Sequence, residues 1–303
     1  MTTSEKFNNV LISGSSGLIG SALRRHLSAD GFQVYGLSRS DSSEPFYYDQ
    51  QSGRMHLDPD IPLAAVINLA GVSLAEGRWN HRRKQLIKDS RVLTTQRLSE
   101  ALIELPQPPA TLLSASALGY YGDTASEVAY ESTPAGDSFL ADVSVAWEQA
   151  TEAAKAQGIR TVNLRFGLVL STSGGVLPNF ILPLRLAAVG RVGDGRQYLS
   201  WIHIEDCVRV IRLALGTGDL SGPVNVVSNH AVTNDEFTRS VSRALGRPRL
   251  PPLPATVVKL LFGEMGEEAL LASGRIKSQV LDARQFVFQY PHLDQALEAL
   301  LKS

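Results

Sequence analysis

Gly14-Ser15-Ser16-Gly17-Leu18-Ile19-Gly20 stands just after the apolar run Val10-Leu11-Ile12 and opens a segment with apolar residues at helical spacing. In a doubly wound parallel sheet, the pyrophosphate of a dinucleotide docks at the glycine turn between the first strand and its helix. Gly14 permits the tight turn, Gly17 lets the backbone approach the phosphates, and Gly20 lets the helix pack on the strand. The backbone N–H groups at the start of the helix then face the anion. The alternative is a glycine-rich turn that binds nothing; the flanking strand and helix favour the dinucleotide.

The segments around this turn alternate between short apolar runs and helical patterns, which predicts a parallel sheet with helices on both faces. The predicted strands are Val10 to Ser13, Gln33 to Ser38, Ala65 to Ala70, Thr111 to Ser116, Thr161 to Leu164 and Pro223 to Val227. The predicted helices are Leu18 to Ala29, Arg83 to Leu105, Ala141 to Gln157 and Asp206 to Leu215. We therefore predict an α/β fold, a Rossmann-type doubly wound parallel sheet.

Beyond Gly175 the alternation loosens, because glycines and prolines interrupt the chain as far as Gln197 and four prolines fall between Arg247 and Pro254. A helix from Ala255 to Ala272, a strand from Gln285 to Tyr290 and a last helix from Leu293 are predicted to follow. We predict that residues 1–173 and 201–230 form the dinucleotide-binding domain. Residues 174–200 and 231–303 are predicted to form a smaller C-terminal substrate lobe over the carboxyl edge of the sheet.

The composition is that of an ordinary globular chain. Of 303 residues, 44% are hydrophobic and 19% charged, and the net charge of −1 gives no reason to expect nucleic acid or an anionic membrane as a partner. No apolar run approaches the ~20 residues that span a bilayer, and the polar first residues lack the apolar segment of a signal peptide. The single cysteine excludes an internal disulfide framework, and the six histidines lack metal-ligand spacing. We expect a cytoplasmic protein without a metal.

The end of the second predicted strand indicates which dinucleotide is bound. NAD enzymes usually carry an acid there that binds the ribose 2′-hydroxyl, whereas this chain reads Leu37-Ser38-Arg39. Arg39 offers a planar, permanently charged group for a 2′-phosphate, and Ser38 adds a hydroxyl. We therefore predict NADP(H) as the cofactor; the alternative is that Arg39 is a solvated surface charge.

Several separated motifs carry a resemblance to a known family. They are the glycine turn, Asn68-Leu69-Ala70-Gly71, Ser114-Ala115-Ser116, Leu164-Arg165-Phe166-Gly167 and Trp201-Ile202-His203-Ile204-Glu205-Asp206. With them the chain resembles an extended short-chain dehydrogenase/reductase over nearly its whole length. Further motifs make it similar to the "epimerase family" branch, namely Arg78-Trp79, Ser114 to Gly122, Leu199 to His203 and Phe262-Gly263-Glu264-Met265. The resemblance implies that the chain binds NADPH and carries the C-terminal domain of unknown function of that branch.

The resemblance also implies roles for individual residues. Gly14, Gly17, Leu18, Ile19 and Gly20 would hold the pyrophosphate, with Ser15 as a further cofactor-binding residue, and Ser38 and Arg39 would hold the 2′-phosphate. Leu69, Ala70 and Gly71 would line the path of the adenosine and ribose. Arg91 takes a helix position where relatives place a cofactor-facing polar residue. Leu168 would contact the nicotinamide half of the cofactor through its backbone.

The proton-transfer pair of this superfamily is missing from its expected place. Active members use a Tyr and a Lys four residues apart on the helix after the serine strand, where the Lys lowers the pKa of the Tyr. In active members a glutamate follows that Lys by four residues, and Glu148 matches this glutamate. With this alignment, Ser144 stands at the Lys position and Leu140 at the Tyr position. The segment from Asp137 to Ala156 contains no Tyr, and its one Lys, Lys155, lies near its far end.

Three residues are candidates for catalysis in place of that pair. Ser116 stands where relatives have the catalytic Ser, as the resemblance implies. Tyr120 and Tyr121 follow just beyond the carboxyl end of the same strand, where ligands bind in open α/β sheets, so one of them is a candidate acid. The alternative for both tyrosines is a packing or hydrogen-bonding role.

One further departure from the family bears on the substrate. Leu199 stands where nucleotide-sugar epimerases often have an Arg that pairs with the diphosphate, which counts against a UDP-sugar. Arg78 and Trp79 are candidates for binding an acidic or aromatic substrate, with loop anchoring as the alternative. Asn179 and Arg185 fall in the predicted substrate lobe, and their spacing indicates no particular chemistry.

The remaining polar positions have structural interpretations. Asp206 is predicted to be the N-cap of the next helix, His203 a structural histidine and Cys207 a buried side chain. Glu264, Glu267 and Glu268 are predicted to form the solvated face of a helix.

Three functions remain open, because fold alone does not decide among them. The first is an NADP(H)-dependent oxidoreductase acting on a small carbonyl or alcohol. The second is a cofactor-retaining nucleotide-sugar-type epimerase or dehydratase, which needs the same proton transfer. The third is a non-catalytic NADPH-sensing protein whose ligand state controls a partner. The resemblance also leaves a homodimer through two helices open.

Overall fold

Fourteen strands and nine helices are assigned in the part of the chain that the computed structural model describes, residues 8–39, 42–49, 51–175, 177, 190–249 and 251–301. The strands are β1 (Asn9–Ser13), β2 (Gln33–Leu37), β3 (Phe46–Asp49), β4 (Arg54–Leu57), β5 (Ala65–Asn68), β6 (Thr111–Ala117), β7 (Val128–Ala129), β8 (Arg160–Phe166), β9 (Leu168–Leu170), β10 (Tyr198–Leu199), β11 (Trp201–His203), β12 (Gly222–Val226), β13 (Val232–Thr233) and β14 (Arg275–Ile276). The helices are α1 (Leu18–Ala29), α2 (His81–Ile103), α3 (Phe139–Gln149), α4 (Glu152–Ala156), α5 (Ile204–Gly216), α6 (Asn234–Ala244), α7 (Ala255–Phe262), α8 (Gln279–Ala283) and α9 (Leu293–Leu301). A 3₁₀ turn, Leu118–Tyr121, follows β6, and a π-helical turn, Gly266–Leu271, follows α7.

Six of the strands form a parallel sheet in the order β12-β8-β6-β5-β1-β2. In its register Ile12 of β1 lies between Gly36 of β2 and Ile67 of β5. The chain passes from β1 to one neighbour and later to the other, which is the arrangement of a doubly wound sheet. The predicted α/β fold and its six sheet strands are confirmed.

Helices cover both faces of the sheet, because successive side chains of a strand point to opposite faces. Ile12 packs on one face with α1 and α5, through Leu23 and Ile211 among others. Leu11 packs on the other face with Leu98 of α2. Strands buried on both faces read as nearly continuous apolar runs, which is why the sequence reveals them.

A second apolar cluster joins the C-terminal part of the chain to the strand pair β9 and β11. Trp201 lies at its centre, fully buried, with Phe237 of α6 and Leu297 of α9. This cluster holds the C-terminal residues beside the carboxyl edge of the sheet. The division into domains at 1–173 with 201–230, and 174–200 with 231–303, stays a prediction.

Two helices predicted as continuous are interrupted. The helix predicted from Ala141 to Gln157 ends at Gln149 and resumes at Glu152, where the hydroxyl of Thr151 donates to the carbonyl oxygen of Glu148 and competes with the helical backbone. The helix predicted from Ala255 to Ala272 ends at Phe262, because Gly263 takes a left-handed φ of 58°.

The strand predicted from Gln285 to Tyr290 is wrong. Gln285 has a φ of 52°, which an extended strand does not allow. The backbone N–H groups of Gln289 and Tyr290 donate to the carboxylate of Asp206 at 2.7 and 2.8 Å. A side chain from α5 therefore satisfies donors that a strand would have paired with a neighbouring backbone.

The hairpin of β3 and β4 was not predicted. Phe46 is its one fully buried side chain, and its other residues are partly exposed, so it lacks the buried run that marks the sheet strands. Gly53 turns the hairpin with a φ of 69°, and the rings of Tyr47 and His56 stack across the pair at 4.4 Å. The hairpin follows the end of β2 directly.

The structure adds two findings on other classes of site. Among the described residues, no helix has both the length and the apolar character needed to cross a membrane. In the same part of the chain, no three His, Cys, Asp or Glu side chains form a group that could hold a metal ion.

Candidate functional site

A cleft of about 550 Å³ opens over the carboxyl ends of the central strands. Its walls include Gly14 after β1, Leu69 after β5, Leu118 after β6 and Gly167 after β8. Residues 198–200 and 268–276, from the C-terminal part of the chain, close the opposite side. Ligands of open α/β sheets bind at this edge, so the cleft is the candidate site.

The glycine turn forms a backbone cradle at one end of the cleft. Gly14 has a φ of 75°, and a Cβ atom on it would lie 2.8 Å from the carbonyl oxygen of Leu69. A Cβ atom on Gly20 would overlap the carbonyl of Gly14. Helix α1 begins with Gly17 as N-cap and without a capping side chain, so its first N–H groups are left for a ligand. The cradle fits the pyrophosphate of a dinucleotide, and Gly14, Gly17, Leu18, Ile19 and Gly20 all line the cleft.

Ser15 belongs to the glycine turn, Ser38 and Arg39 follow directly after β2, and the described cleft lining includes none of the three. A Cβ atom on Gly36 would lie 2.7 Å from Oγ of Ser15, so the glycine in β2 makes room for the serine. The backbone N–H of Ser38 donates to the carbonyl oxygen of Phe46 at 2.9 Å, which ties the end of β2 to the hairpin. Arg39 follows at the carboxyl end of β2, where the sequence predicts the 2′-phosphate.

Leu69, Ala70 and Gly71 line the cleft directly after β5, and Arg91 of α2 reaches over them. The guanidinium of Arg91 donates to the carbonyl oxygens of Val72 at 2.9 Å and Ile87 at 3.0 Å. Burial, with the nearby charge of Arg83, lowers the pKa of Arg91 to about 10. Arg91 is therefore still charged at neutral pH and brings a fixed cation to this part of the cleft.

Ser116 of β6 lines the cleft and is held from behind by a buried ion pair. Its Oγ atom donates to Oε1 of Glu148 at 2.7 Å. Arg165 grips the same carboxylate with two bonds, Nε to Oε1 at 2.7 Å and Nη2 to Oε2 at 2.8 Å. The side chains of Arg165 and Glu148 are 3% and 14% exposed. A carboxylate facing a guanidinium only accepts, so the proton of Ser116 points at Glu148.

Tyr120 and Tyr121 surround Arg165 rather than the cleft. The Tyr121 hydroxyl donates to Oδ1 of Asn225 at 2.6 Å and accepts from Nη1 of Arg165 at 2.8 Å. Burial raises the pKa of Tyr121 to about 12, and the Arg165 guanidinium lies 3.5 Å from the centre of the Tyr120 ring. The described cleft lining includes Leu118 of the same turn and neither tyrosine. This geometry favours the structural alternative for both and counts against the candidate acid.

Helix α3 presents Leu140, Val143, Ser144 and Trp147 to the cleft. The hydroxyl of Ser144 donates to the carbonyl oxygen of Leu140 at 2.8 Å. Leu140 and Ser144 thus share the helix face that the alignment assigns to Tyr and Lys. No titratable side chain of α3, which is described throughout, lies on this face, so a shift of the alignment by one turn does not restore the pair.

Two titratable side chains of the described cleft lining were not predicted to lie there, and both come from its C-terminal wall. Tyr198 lines the cleft, and the guanidinium of Arg275 lies 4.9 Å from its ring centre. Glu268 lines it from the π-helical turn. No motif marks either residue, and only their spatial position beside Ser116 and Leu140 draws attention to them. Leu199 lies in the same wall and leaves it without a cation at that position.

The solvated face predicted for Glu264, Glu267 and Glu268 is wrong for Glu268. Its two carboxylate oxygens accept from the backbone N–H groups of Phe139 at 3.1 Å and Leu140 at 2.9 Å, and so cap α3. Glu264 pairs with Lys84 of α2 at 2.7 Å, whereas the half-exposed Glu267 pairs with Lys259 at 2.8 Å. The bonds of Glu268 and Glu264 tie the C-terminal part of the chain to α3 and α2.

Arg78 and Trp79 anchor a loop at the rim of the cleft. Nη2 of Arg78 donates to the carbonyl oxygen of Leu260 at 2.7 Å, and Nε1 of Trp79 donates to that of Leu74 at 2.9 Å. The Trp79 ring contacts Phe139 edge to face at 5.4 Å. These bonds favour the anchoring alternative, because both side chains are occupied by the protein itself.

The segment after β11 is structural. His203, rather than Asp206, is the N-cap of α5, because its Nδ1 accepts from the backbone N–H of Glu205 at 3.1 Å. Burial lowers the pKa of His203 and raises that of the Cys207 thiol. The burial predicted for Cys207 is confirmed, and the N-cap predicted at Asp206 is wrong. The cap formed by Nδ1 supports a structural role for His203, whose buried Nε2 has no partner among the described residues. Asn179 and Arg185 lie outside the described residues.

Fold and cleft together define a class, a doubly wound α/β protein with a dinucleotide cradle at the carboxyl edge of its sheet. The model of the NAD dependent epimerase/dehydratase family matches residues 10–227, and that of a domain of unknown function, DUF1731, matches residues 253–300. The chain belongs to the NAD dependent epimerase/dehydratase family.

Three known proteins are similar to this chain. Epimerase family protein Mb2239 of Mycobacterium bovis is 42% identical over 291 residues, which cover 95% of this chain and 96% of that protein. The structure of human epimerase family protein SDR39U1 with NADPH is 30% identical and superposes with a TM-score of 0.86, covering 97% of this chain and 99% of the human one. Thermus thermophilus UDP-glucose 4-epimerase in complex with NAD is 20% identical with a TM-score of 0.76, covering 97% of this chain and 98% of that one, and shows the fold alone.

Proposed function

We propose that the chain is an NADP(H)-dependent oxidoreductase that acts on a small carbonyl or alcohol compound. The observation that carries the proposal is that one continuous cleft joins the glycine cradle to Ser116 and to a wall from the C-terminal part of the chain. The part of the cleft beyond the cradle is where a second ligand would lie beside the cofactor.

NADP(H) is favoured over NAD(H) by the end of β2. Arg39 stands at the strand end where an NAD enzyme usually carries an acid, and a guanidinium matches a 2′-phosphate. The similar human protein SDR39U1 was solved with NADPH, which supports the same choice here.

The nicotinamide, when bound, supplies or accepts the hydride. The chain's own residues bind and orient. The glycine turn and α1 hold the phosphates, Ser116 accepts a hydrogen bond from the hydroxyl of the alcohol form of the substrate, and Leu140, Val143 and Trp147 exclude water from the reacting end of the cleft.

The lining argues against a nucleotide-sugar substrate. Leu199, Ala269, Ala272 and Ile276 form much of the C-terminal wall, and a diphosphate calls for cations there. The cofactor-retaining epimerase is therefore the weaker hypothesis, although this chain shares its fold with such enzymes.

A regulatory protein that binds NADPH without turnover is the second candidate. One observation favours it: Leu140 and Ser144 occupy the cleft face of α3 where an active enzyme of this superfamily would present its proton-transfer pair. In such a protein NADPH would change the affinity for a partner by linkage.

Turnover assays with a panel of small ketones, aldehydes and alcohols distinguish the candidates. Net consumption of NADPH or reduction of NADP⁺ with any of them, diminished in Ser116→Ala, supports the oxidoreductase. Tightly held dinucleotide without net change in NADPH indicates a retaining epimerase. NADPH binding without turnover across the panel contradicts the enzyme and supports the regulatory protein.

A further inference from the structure

We propose that the cleft selects an uncharged or cationic ligand that donates a hydrogen bond, an alcohol or an amine, and that Glu268 sets this preference. The inference rests on the proposed function, because it names the substrate class of the same cleft. It goes beyond that function in assigning specificity to a residue of the C-terminal part of the chain.

The serines that line the described cleft all turn their protons into the protein. Ser116 donates to Glu148 and Ser144 donates to the carbonyl oxygen of Leu140. Ser200 donates to the carbonyl oxygen of Gly274 at 2.8 Å, and Ser273 donates to that of Ala125. Carbonyl and carboxylate oxygens only accept hydrogen bonds, so the serine hydroxyl is the donor in each of these four bonds.

What Ser116 and Ser144 can offer a ligand is therefore an acceptor. Oγ of Ser200 and Oγ of Ser273 already accept from backbone N–H groups, those of Ile276 at 2.9 Å and Tyr198 at 3.0 Å. Among the described residues no backbone N–H donates to Oγ of Ser116 or of Ser144, so we expect these two oxygens to accept from a ligand in the cleft. A ligand hydroxyl or ammonium satisfies those lone pairs, whereas a carbonyl or ether oxygen meets them lone pair to lone pair.

Glu268 adds a negative charge to the lining of the same cleft. It is the one carboxylate of the described lining, and each of its oxygens accepts a single backbone N–H bond from the start of α3. Leu140 receives one of these bonds and also lines the cleft, so the carboxylate lies at the α3 wall. An anionic ligand here would meet a like charge in a partly desolvated site, which disfavours it strongly.

Two side chains of the described lining, those of Arg91 and Tyr198, can donate hydrogen bonds, and neither is assigned to the ligand group that Ser116 binds. Arg91 directs its Nη atoms to the carbonyl oxygens of Val72 and Ile87, beside the strand that carries the predicted adenosine and ribose path. Tyr198 can donate to a second group of the ligand. The selection therefore concerns a ligand group in the cleft that Ser116, Ser144 and Glu268 all line.

A matched set of ring compounds tests the proposal by binding, with and without NADPH. The probes are trans-4-methylcyclohexanol, its methyl ether, trans-4-hydroxycyclohexanecarboxylate and trans-4-aminocyclohexanol, with dissociation constants from ligand-observed NMR. We expect the carboxylate to bind about tenfold more weakly than the methyl alcohol, and the ether about threefold to tenfold more weakly. The aminoalcohol should bind at least as well as the methyl alcohol.

Two variants assign the effects. Glu268→Gln should reduce the penalty on the carboxylate to less than about threefold, and Ser116→Ala should reduce the preference for the alcohol over its ether, with Ser144 as the remaining serine acceptor. Glu267→Gln is the matched control, because Glu267 belongs to the same turn but pairs with Lys259 outside the cleft lining. Glu268→Asp keeps the charge and must retain the discrimination between the carboxylate and the methyl alcohol. Thermal melting reports any loosening of α3, so the effect of the charge is separated from the effect of the lost cap.

The proposal is overturned if the carboxylate binds as tightly as the methyl alcohol, if the ether matches the alcohol, or if Glu268→Gln and Glu267→Gln behave alike. If the proposed function is wrong, the panel of ketones and alcohols shows no turnover while the discrimination against the carboxylate persists. The two failures are therefore distinguishable.

Discussion

Oγ of Ser116 lies 2.7 Å from Oε1 of Glu148, 32 positions later in the chain. Because Arg165 binds the same carboxylate from β8, one carboxylate joins a central strand, a helix and a second strand. The hydroxyl that faces the cleft is thereby held by side chains with very little exposure to solvent.

Glu148→Gln should destabilise the protein strongly. The change leaves the guanidinium of Arg165 buried without its counter-charge, which costs about 3–5 kcal/mol of unfolding free energy. Urea denaturation measures the loss. Glu152→Gln is the control, because Glu152 pairs with Lys155 at an exposed position and should cost less than about 1 kcal/mol. Equal losses in both variants would contradict the role given to the buried pair.

Tyr121→Phe should lower stability without affecting the binding of NADPH or turnover. Removal of the hydroxyl leaves Oδ1 of Asn225 and an N–H of Arg165 unpaired, at a cost of about 1–3 kcal/mol. Tyr120→Phe keeps the ring against Arg165 and should cost less. A fall in turnover at unchanged stability in either variant would restore that tyrosine as the acid.

Alkaline pH should destabilise the folded state through Tyr121. Its pKa is about 12 in the folded protein and about 10 when unfolded. Below about pH 10 the phenol is neutral in both states, and above it the unfolded state loses the proton first. Stability therefore falls as the pH rises from about 10 through 12, by about 3 kcal/mol in full.

Urea unfolding at several values between about pH 9 and pH 11 measures this slope. Tyr121→Phe lacks the titrating group and should show a shallower decline than the unaltered protein. Parallel slopes for the two proteins would show that Tyr121 titrates normally.

Gly14→Ala should abolish NADPH binding and destabilise the fold. The new Cβ atom would lie 2.8 Å from the Leu69 carbonyl oxygen, on a residue whose φ is 75°. Gly31→Ala is the matched control, since Gly31 has a φ of 86° but nothing within 4 Å of the added atom. The control should cost about 1–2 kcal/mol and keep NADPH binding. Calorimetric titration and thermal melting of both variants give the comparison; NADPH binding by Gly14→Ala would contradict the cradle.

Arg39→Ala should weaken NADPH binding by about tenfold to a hundredfold, the value of charge-assisted bonds to a phosphate. NADH lacks that phosphate, so its affinity should stay weak and unchanged. Calorimetry at fixed salt separates the effect from general screening. Arg54→Ala removes the same charge from an exposed position in the nearby hairpin and should leave both affinities alone. Equal affinity for NADPH and NADH in the unaltered protein would point to NAD(H) instead.

The elements that the sequence predicts best are those whose signal is local. Helix α1 is predicted from Leu18 to Ala29 and found at those bounds, because its apolar spacing and its glycine N-cap lie in adjacent residues. The hairpin of β3 and β4 was missed, since its half-buried residues lack a clear apolar run. Gln285 to Tyr290 was misread as a strand, because the carboxylate that holds it comes from Asp206, 83 residues before Gln289.

The glycine turn and the strand before it were enough to locate the dinucleotide cradle, because phosphate recognition there depends on backbone conformation within one short run of residues. The absence of a Tyr and Lys pair was likewise readable from composition along α3. The tertiary structure alone showed that Tyr121 supports Arg165 and that Glu268 lines the cleft. Those roles depend on contacts between residues more than 100 positions apart, Tyr121 with Asn225 and Glu268 with Leu140, and no local pattern encodes such contacts.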